Sequence, residues 1–146
     1  MLARTVVGVI IMMFALVQTG NAVGADDIQK YFNDTARKVK ATEDPAQKRE
    51  ILNKSFEKMS KALDKVQSSP LISKDDRVGI ALLKSTLQEK QDELTGLNGY
   101  ERVGDNQLNA FSDYVVQDME QASQTVTISL VALLLIIIIV VLLVSM

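Results

Sequence analysis

The chain has 146 residues, with 16 basic against 18 acidic side chains and a net charge of −2. It contains no Cys, no His and no Trp. That excludes a disulfide framework, a thiolate nucleophile, a zinc centre built on sulfur or imidazole, and an imidazole base. The hydrophobic fraction is 47%, but much of it sits in two end segments. Between them Lys, Glu, Asp, Gln and Leu dominate, with few aromatics and little Gly or Pro, a composition that favours helices.

Arg4 is the only charge before Asp26. Behind it runs an apolar stretch from Val6 to Val17, followed by the polar run Gln18-Thr19-Gly20-Asn21-Ala22. A basic start, a short apolar core and a small-residue region are the parts of a signal peptide in order. Cleavage fits after Ala22 or after Ala25. The second is preferred, because Asp26-Asp27 then opens the first helix with negative charge at its positive end. We therefore expect residues 1–25 to be a signal peptide; the alternative is an uncleaved signal anchor.

Residues 26–125 are predicted to form one extracytoplasmic domain, an all-α, small antiparallel bundle of three to four helices. In the first helix, over 26–41, Ile28, Tyr31, Phe32, Thr35 and Val39 share one side. Asp44 and Pro45 supply an N-cap and a first-turn proline for the second. There Leu52, Phe56, Met59, Leu63 and Val66 make a heptad seam, long enough for bundle packing but short for an extended coiled coil. Ser68-Ser69-Pro70 ends it. Ser73 with Asp76 reads as a capping box for a third helix carrying Ile80, Leu83, Leu87 and Leu94, which Gly96 terminates. After an irregular stretch from Gly96 to Gly104, Asp105 is expected to cap the last helix. Its apolar face, Leu108, Phe111, Val115, Met119, Ala122 and Val126, runs onward without Gly or Pro. One continuous helix over 105–145 is predicted, and no sheet.

Residues 126–146 complete that helix as a C-terminal transmembrane anchor. From Val126 to Val144 there are nineteen residues without a charge. At about 1.5 Å each they span about 28 Å, close to the hydrocarbon thickness of a bilayer. No Lys or Arg follows Arg102, which permits an outer location for the domain. A lipid-anchor signal is disfavoured, because Ala122-Ser123-Gln124 lacks the polar spacer such signals need. An exported domain of this size without disulfides must rest on helix packing, which points to a bacterial cell envelope, with the domain periplasmic or extracellular.

The chemistry offered by the side chains is sparse. Glu89 and Glu93 lie one turn apart beside Asp92, but no loop supplies further oxygen ligands, and they read as a solvated helix face. Lys54, Lys58, Lys61 and Lys65 form a stripe opposite the seam that is a candidate contact for an anionic partner or lipid. Glu57 and Asp64 interrupt it. Tyr100, in the glycine-bearing loop, is the candidate aromatic contact. No catalytic residue, cofactor or metal ligand set is expected, no nucleic-acid partner, and no small-molecule substrate. The reading is a non-enzymatic scaffold or interaction module held at a membrane, pairing with another envelope protein or with itself. An accessory factor acting on lipid through the lysine stripe is the second reading. A hydrolase working through paired carboxylates is the remote third.

Overall fold

The structure, a computed structural model, describes residues 25–126 and 128–145. The expected signal peptide, Ala25 apart, lies outside the described residues. Every regular element described is helical: α1 (Ala25–Ala41), α2 (Pro45–Gln67), α3 (Lys74–Thr95), a short 3-10 turn (Asp105–Gln107), α4 (Leu108–Thr125) and α5 (Leu130–Ser145).

The punctuation is local chemistry. Asp44 caps α2 through its carboxylate, which accepts the Ala46 N–H, and Pro45 occupies the first turn, where no N–H is missed. Ser73 and Asp76 form a reciprocal capping box at the start of α3. Gly96 ends α3 in the left-handed region at φ +77. A Cβ on Gly96 would stand 3.0 Å from both the Cβ and the backbone nitrogen of Arg102. Gly96→Ala is therefore expected to cost more than the roughly 1–2 kcal/mol of an ordinary left-handed residue. Gly99→Ala, at φ +86 but with nothing within 4 Å of the added carbon, should cost only that backbone amount; paired urea melts check the difference.

These helices run up, down, up and down. α2 packs on α1 and α3, and α4 closes the ring against α1 and α3, with its most extensive contact on α1. The predicted faces turn inward, although Ala122 and Val126 at the end of the α4 face are only partly buried. Inside lie Ile28, Tyr31, Phe32, Thr35 and Val39 from α1, and Leu52, Phe56, Met59, Leu63 and Val66 from α2. Ile80, Leu83, Leu87 and Leu94 from α3 meet Leu108, Phe111, Val115 and Met119 from α4. Three phenylalanines thread the middle, with Phe56 lying 6.4 Å from Phe32 and 6.5 Å from Phe111 between ring centroids. The Tyr31 hydroxyl donates to the Ser55 carbonyl at 2.8 Å, and Thr35 and Ser55 share a hydroxyl bond at 2.7 Å. That polar pair sets α1 against α2.

The continuous helix over 105–145 does not form. Asp105 opens a 3-10 turn instead of capping α4, because its carboxylate is taken by Arg49 of α2 at 2.8 Å. At the far end α4 stops at Thr125, with Val126 extended at φ −98 and ψ 147. A new helix starts at Leu130. Ser129 caps it: its hydroxyl oxygen accepts the Ala132 N–H at 3.2 Å, and its carbonyl accepts the Leu133 N–H. The break is held from outside by Asp76, whose two carboxylate oxygens accept the Ser129 N–H and the Ser129 hydroxyl, each at 2.7 Å. α5 thus begins where α2 ends and α3 starts, and lies against α2 as a fifth helix. It has 16 residues. Among the described residues no helix is long and apolar enough to cross a membrane.

Candidate functional site

The apolar seam of α3 advances from Ile80 to Leu83, Leu87 and Leu94, and the heptad spacing leaves two polar residues in it, Asp76 and Lys90. Both are buried, and each fastens a different neighbour.

Lys90 has no exposed surface at all. Its ammonium donates to Asp118 of α4, to Glu93 at 3.0 Å and to the Tyr114 hydroxyl at 2.6 Å, with Glu89 3.7 Å away. It also sits 4.0 Å from the centroid of the Tyr114 ring. Burial works to lower its pKa, but the hydrogen bonds to Asp118, Tyr114 and Glu93 outweigh it and hold the ammonium well above the ordinary lysine value. The expected solvated acidic face on α3 is corrected here: Glu93 is largely covered and Asp92 is buried. Asp92 accepts from Gln88 at 3.1 Å and from Asn98 at 2.8 Å, which ties the loop after α3 back to its helix. The paired carboxylates have no open centre between them, because the Lys90 ammonium fills it.

Asp76 completes the capping box and then reaches α5. Burial pushes its carboxyl up, but the two bonds from Ser129 and those from Ser73 hold it below the usual carboxylate range. The link is therefore fully made at neutral pH and is lost only as pH falls through that depressed value.

The lysine stripe is less uniform in space than in sequence. Lys54 pairs with Glu50 at 2.8 Å and Lys61 with Glu57 at 3.2 Å, both one turn back along α2. Lys58 is half-buried and near enough to Lys38 of α1 for its charge to disfavour protonation there. Lys65 is exposed. The four do not present one bare cationic surface.

Tyr100 is exposed beside the exposed Leu97 at the end of the bundle opposite Asp76. Its loop is well fastened. Arg49, nearly buried, donates to the Leu94 carbonyl at 3.5 Å, to the Val103 carbonyl and to Asp105. The sequence signal for Arg49 is absent, since it is one of many bases on a charged helix.

On α1 and α4 an open depression of about 360 Å³ is lined by Gln29, Lys30, Asn33, Arg37, Lys40 and Asp113. The Lys40–Asp113 ion pair spans it. Beside it Asp34 is buried, bonded to Arg37 through one oxygen while the other has no partner. Burial raises its pKa against the pull of Arg37, Lys30 and Lys38.

α5 is apolar on both its faces. Ala132, Ile136, Ile137, Val140 and Val144 are buried against the bundle. Leu130, Val131, Ile138 and Leu142 are 56%, 51%, 52% and 57% exposed. A helix docked on a water-soluble bundle normally turns a polar face outward. This one has none. Compared with models of protein families, with curated proteins and with solved structures, the chain matches none.

Proposed function

We propose that the chain is a non-enzymatic helical scaffold or protein-interaction module on the extracytoplasmic face of a membrane. On this reading the segment over 126–146 is its anchor and residues 1–25 are a signal peptide. The observation that carries it is the outer face of α5, which is as apolar as the inner one. A helix that is apolar all round belongs in a core or in lipid. The uncharged run of nineteen residues from Val126 to Val144 is long enough to span the hydrocarbon once the break before Leu130 straightens.

The pairing of Lys54 and Lys61 with their own helix neighbours weighs against recruitment to lipid through the lysine stripe. The Lys90 ammonium between Glu93 and Asp118 weighs against a carboxylate hydrolase, which needs two acids free to face a substrate. Partner contact is assigned to the Leu97–Tyr100 loop, the aromatic end of the bundle.

The test is alkaline carbonate extraction of membranes from bacteria expressing the full chain, with protease added to intact spheroplasts. The chain is expected to stay in the membrane pellet and to lose its bundle to external protease. Complete release by carbonate would overturn the anchor; protection from external protease would overturn the orientation.

A further inference from the structure

We infer that α5 has two seats, the one on α2 described above and the hydrocarbon of a lipid bilayer, and that the Asp76–Ser129 link holds it in the first. This rests on the membrane reading proposed above and adds to it a lipid-contacting surface and its latch.

Three observations converge. The outer strip Leu130, Val131, Ile138 and Leu142 is more than half exposed and carries no polar atom in its side chains. Lipid hydrocarbon is the occupant whose chemistry matches it, because the run from Val126 to Val144 holds no charge and no side-chain polarity beyond Thr127 and Ser129. A partner protein would be met by at least one hydrogen-bonding group at the rim of such a contact, and α5 offers only Ser145, whose hydroxyl is spent on the Leu142 carbonyl.

The second observation is the nature of the break. The residues from Val126 to Ser129 include no Gly and no Pro, so nothing covalent prevents α4 and α5 from joining as one helix. The non-helical linker is stabilised from outside, by Asp76. The third is that this is the one polar attachment of the α5 start to another helix among the described residues. It consists of two short bonds to an ionised acceptor. Elsewhere α5 adheres to α2 by apolar contact, and lipid replaces apolar contact without loss. Breaking the link therefore removes what distinguishes the docked seat from the inserted one.

Because the chain has no native cysteine, two spin labels can be placed cleanly. Glu57→Cys is on the exposed face of α2 and Ile138→Cys on the exposed face of α5. The doubly labelled full chain is reconstituted in phosphatidylcholine vesicles, and label-to-label distances are read by pulsed electron resonance. A short population reports docked α5 and a long one inserted α5; both are expected. Ser129→Ala, which removes one bond to Asp76 and the α5 cap, should move the long-to-short ratio roughly tenfold toward the long population. Ser73→Ala removes the α3 cap but leaves the Asp76–Ser129 bonds in place, and should leave the ratio near wild type.

A ratio unchanged by Ser129→Ala, or moved as far by Ser73→Ala, overturns the latch while leaving the membrane anchor standing. A short population alone in every variant overturns the exchange. Carbonate resistance of those same vesicles then decides separately whether the membrane reading falls with it.

Discussion

Phe56→Ala is expected to lower the stability of the bundle by about 3–5 kcal/mol, the range for truncating a buried aromatic. Phe56 is fully buried, and it is the ring that meets both Phe32 of α1 and Phe111 of α4. Its removal empties the place where three helices converge, and a rigid neighbour on either side limits how far the gap can close. Against a total of about 5–15 kcal/mol for a small domain, that loss is a large share. Leu63→Ala, on the same seam, should cost about 2–5 kcal/mol. Lys61→Ala, on the opposite face and paired only with Glu57, should fall within about 0.5 kcal/mol. Urea melts of the full chain in mild detergent, followed by helical circular dichroism, rank the three. Equal small effects would place the α2 seam outside the core.

Lys90→Met is the second large loss expected. The substitution keeps an unbranched apolar stem but removes the ammonium, leaving Glu93 and Asp118 facing each other between α3 and α4. Removing one member of a buried ion group costs about 3–5 kcal/mol. The partial exposure of Asp118 brings the expectation here to about 2–3 kcal/mol. Adding Glu93→Gln and Asp118→Asn should restore most of it, because the penalty comes from unpaired negative charge. Lys90 has its pKa raised in the folded chain. Its contribution is therefore complete below the ordinary lysine value of about 10.4 and is lost only as pH rises through the folded one. The difference between wild type and Lys90→Met should stay flat from neutral pH to about pH 10. A difference that shrinks between pH 7 and 9 would show that the ammonium is not held as described.

What could be read in advance divides along a physical line. Apolar periodicity and capping chemistry are local, so Asp44, Pro45, Ser73 and Gly96 mark their helix ends from the residues alone. Lys90 was also open to reading, since it falls on the seam position between Leu87 and Leu94. A polar residue there must be paired, and Asp118 of α4 and Glu93 of its own helix supply the charge. Asp76 holds the equivalent place one turn before Ile80. Its capping role is local, but its second role depends on a residue 53 positions away in sequence. That distance is why a continuous last helix is expected from pattern alone. Val126 to Ser129 contains no Gly or Pro, and the break rests on the Ser129 cap together with its distant partner Asp76. Ser129 directly before an apolar run is the single local hint of a new N-terminus. The roll of Arg49, which fastens a loop more than 50 residues downstream, left no trace in the pattern of α2.

The alternating course of the four bundle helices puts the first residue of α1, the last of α4 and the turn between α2 and α3 together at one end. The Leu97–Tyr100 loop lies at the other. α2, with 23 residues, makes the separation about 35 Å at 1.5 Å per residue. Arg49 fastens that loop to the end of α3 and the start of the 3-10 turn through the Leu94 and Val103 carbonyls and Asp105. Tyr100 therefore stands at that height above the end of the bundle where Asp76 meets Ser129. A change in bundle length by one heptad in each helix would shift that height by about 10 Å.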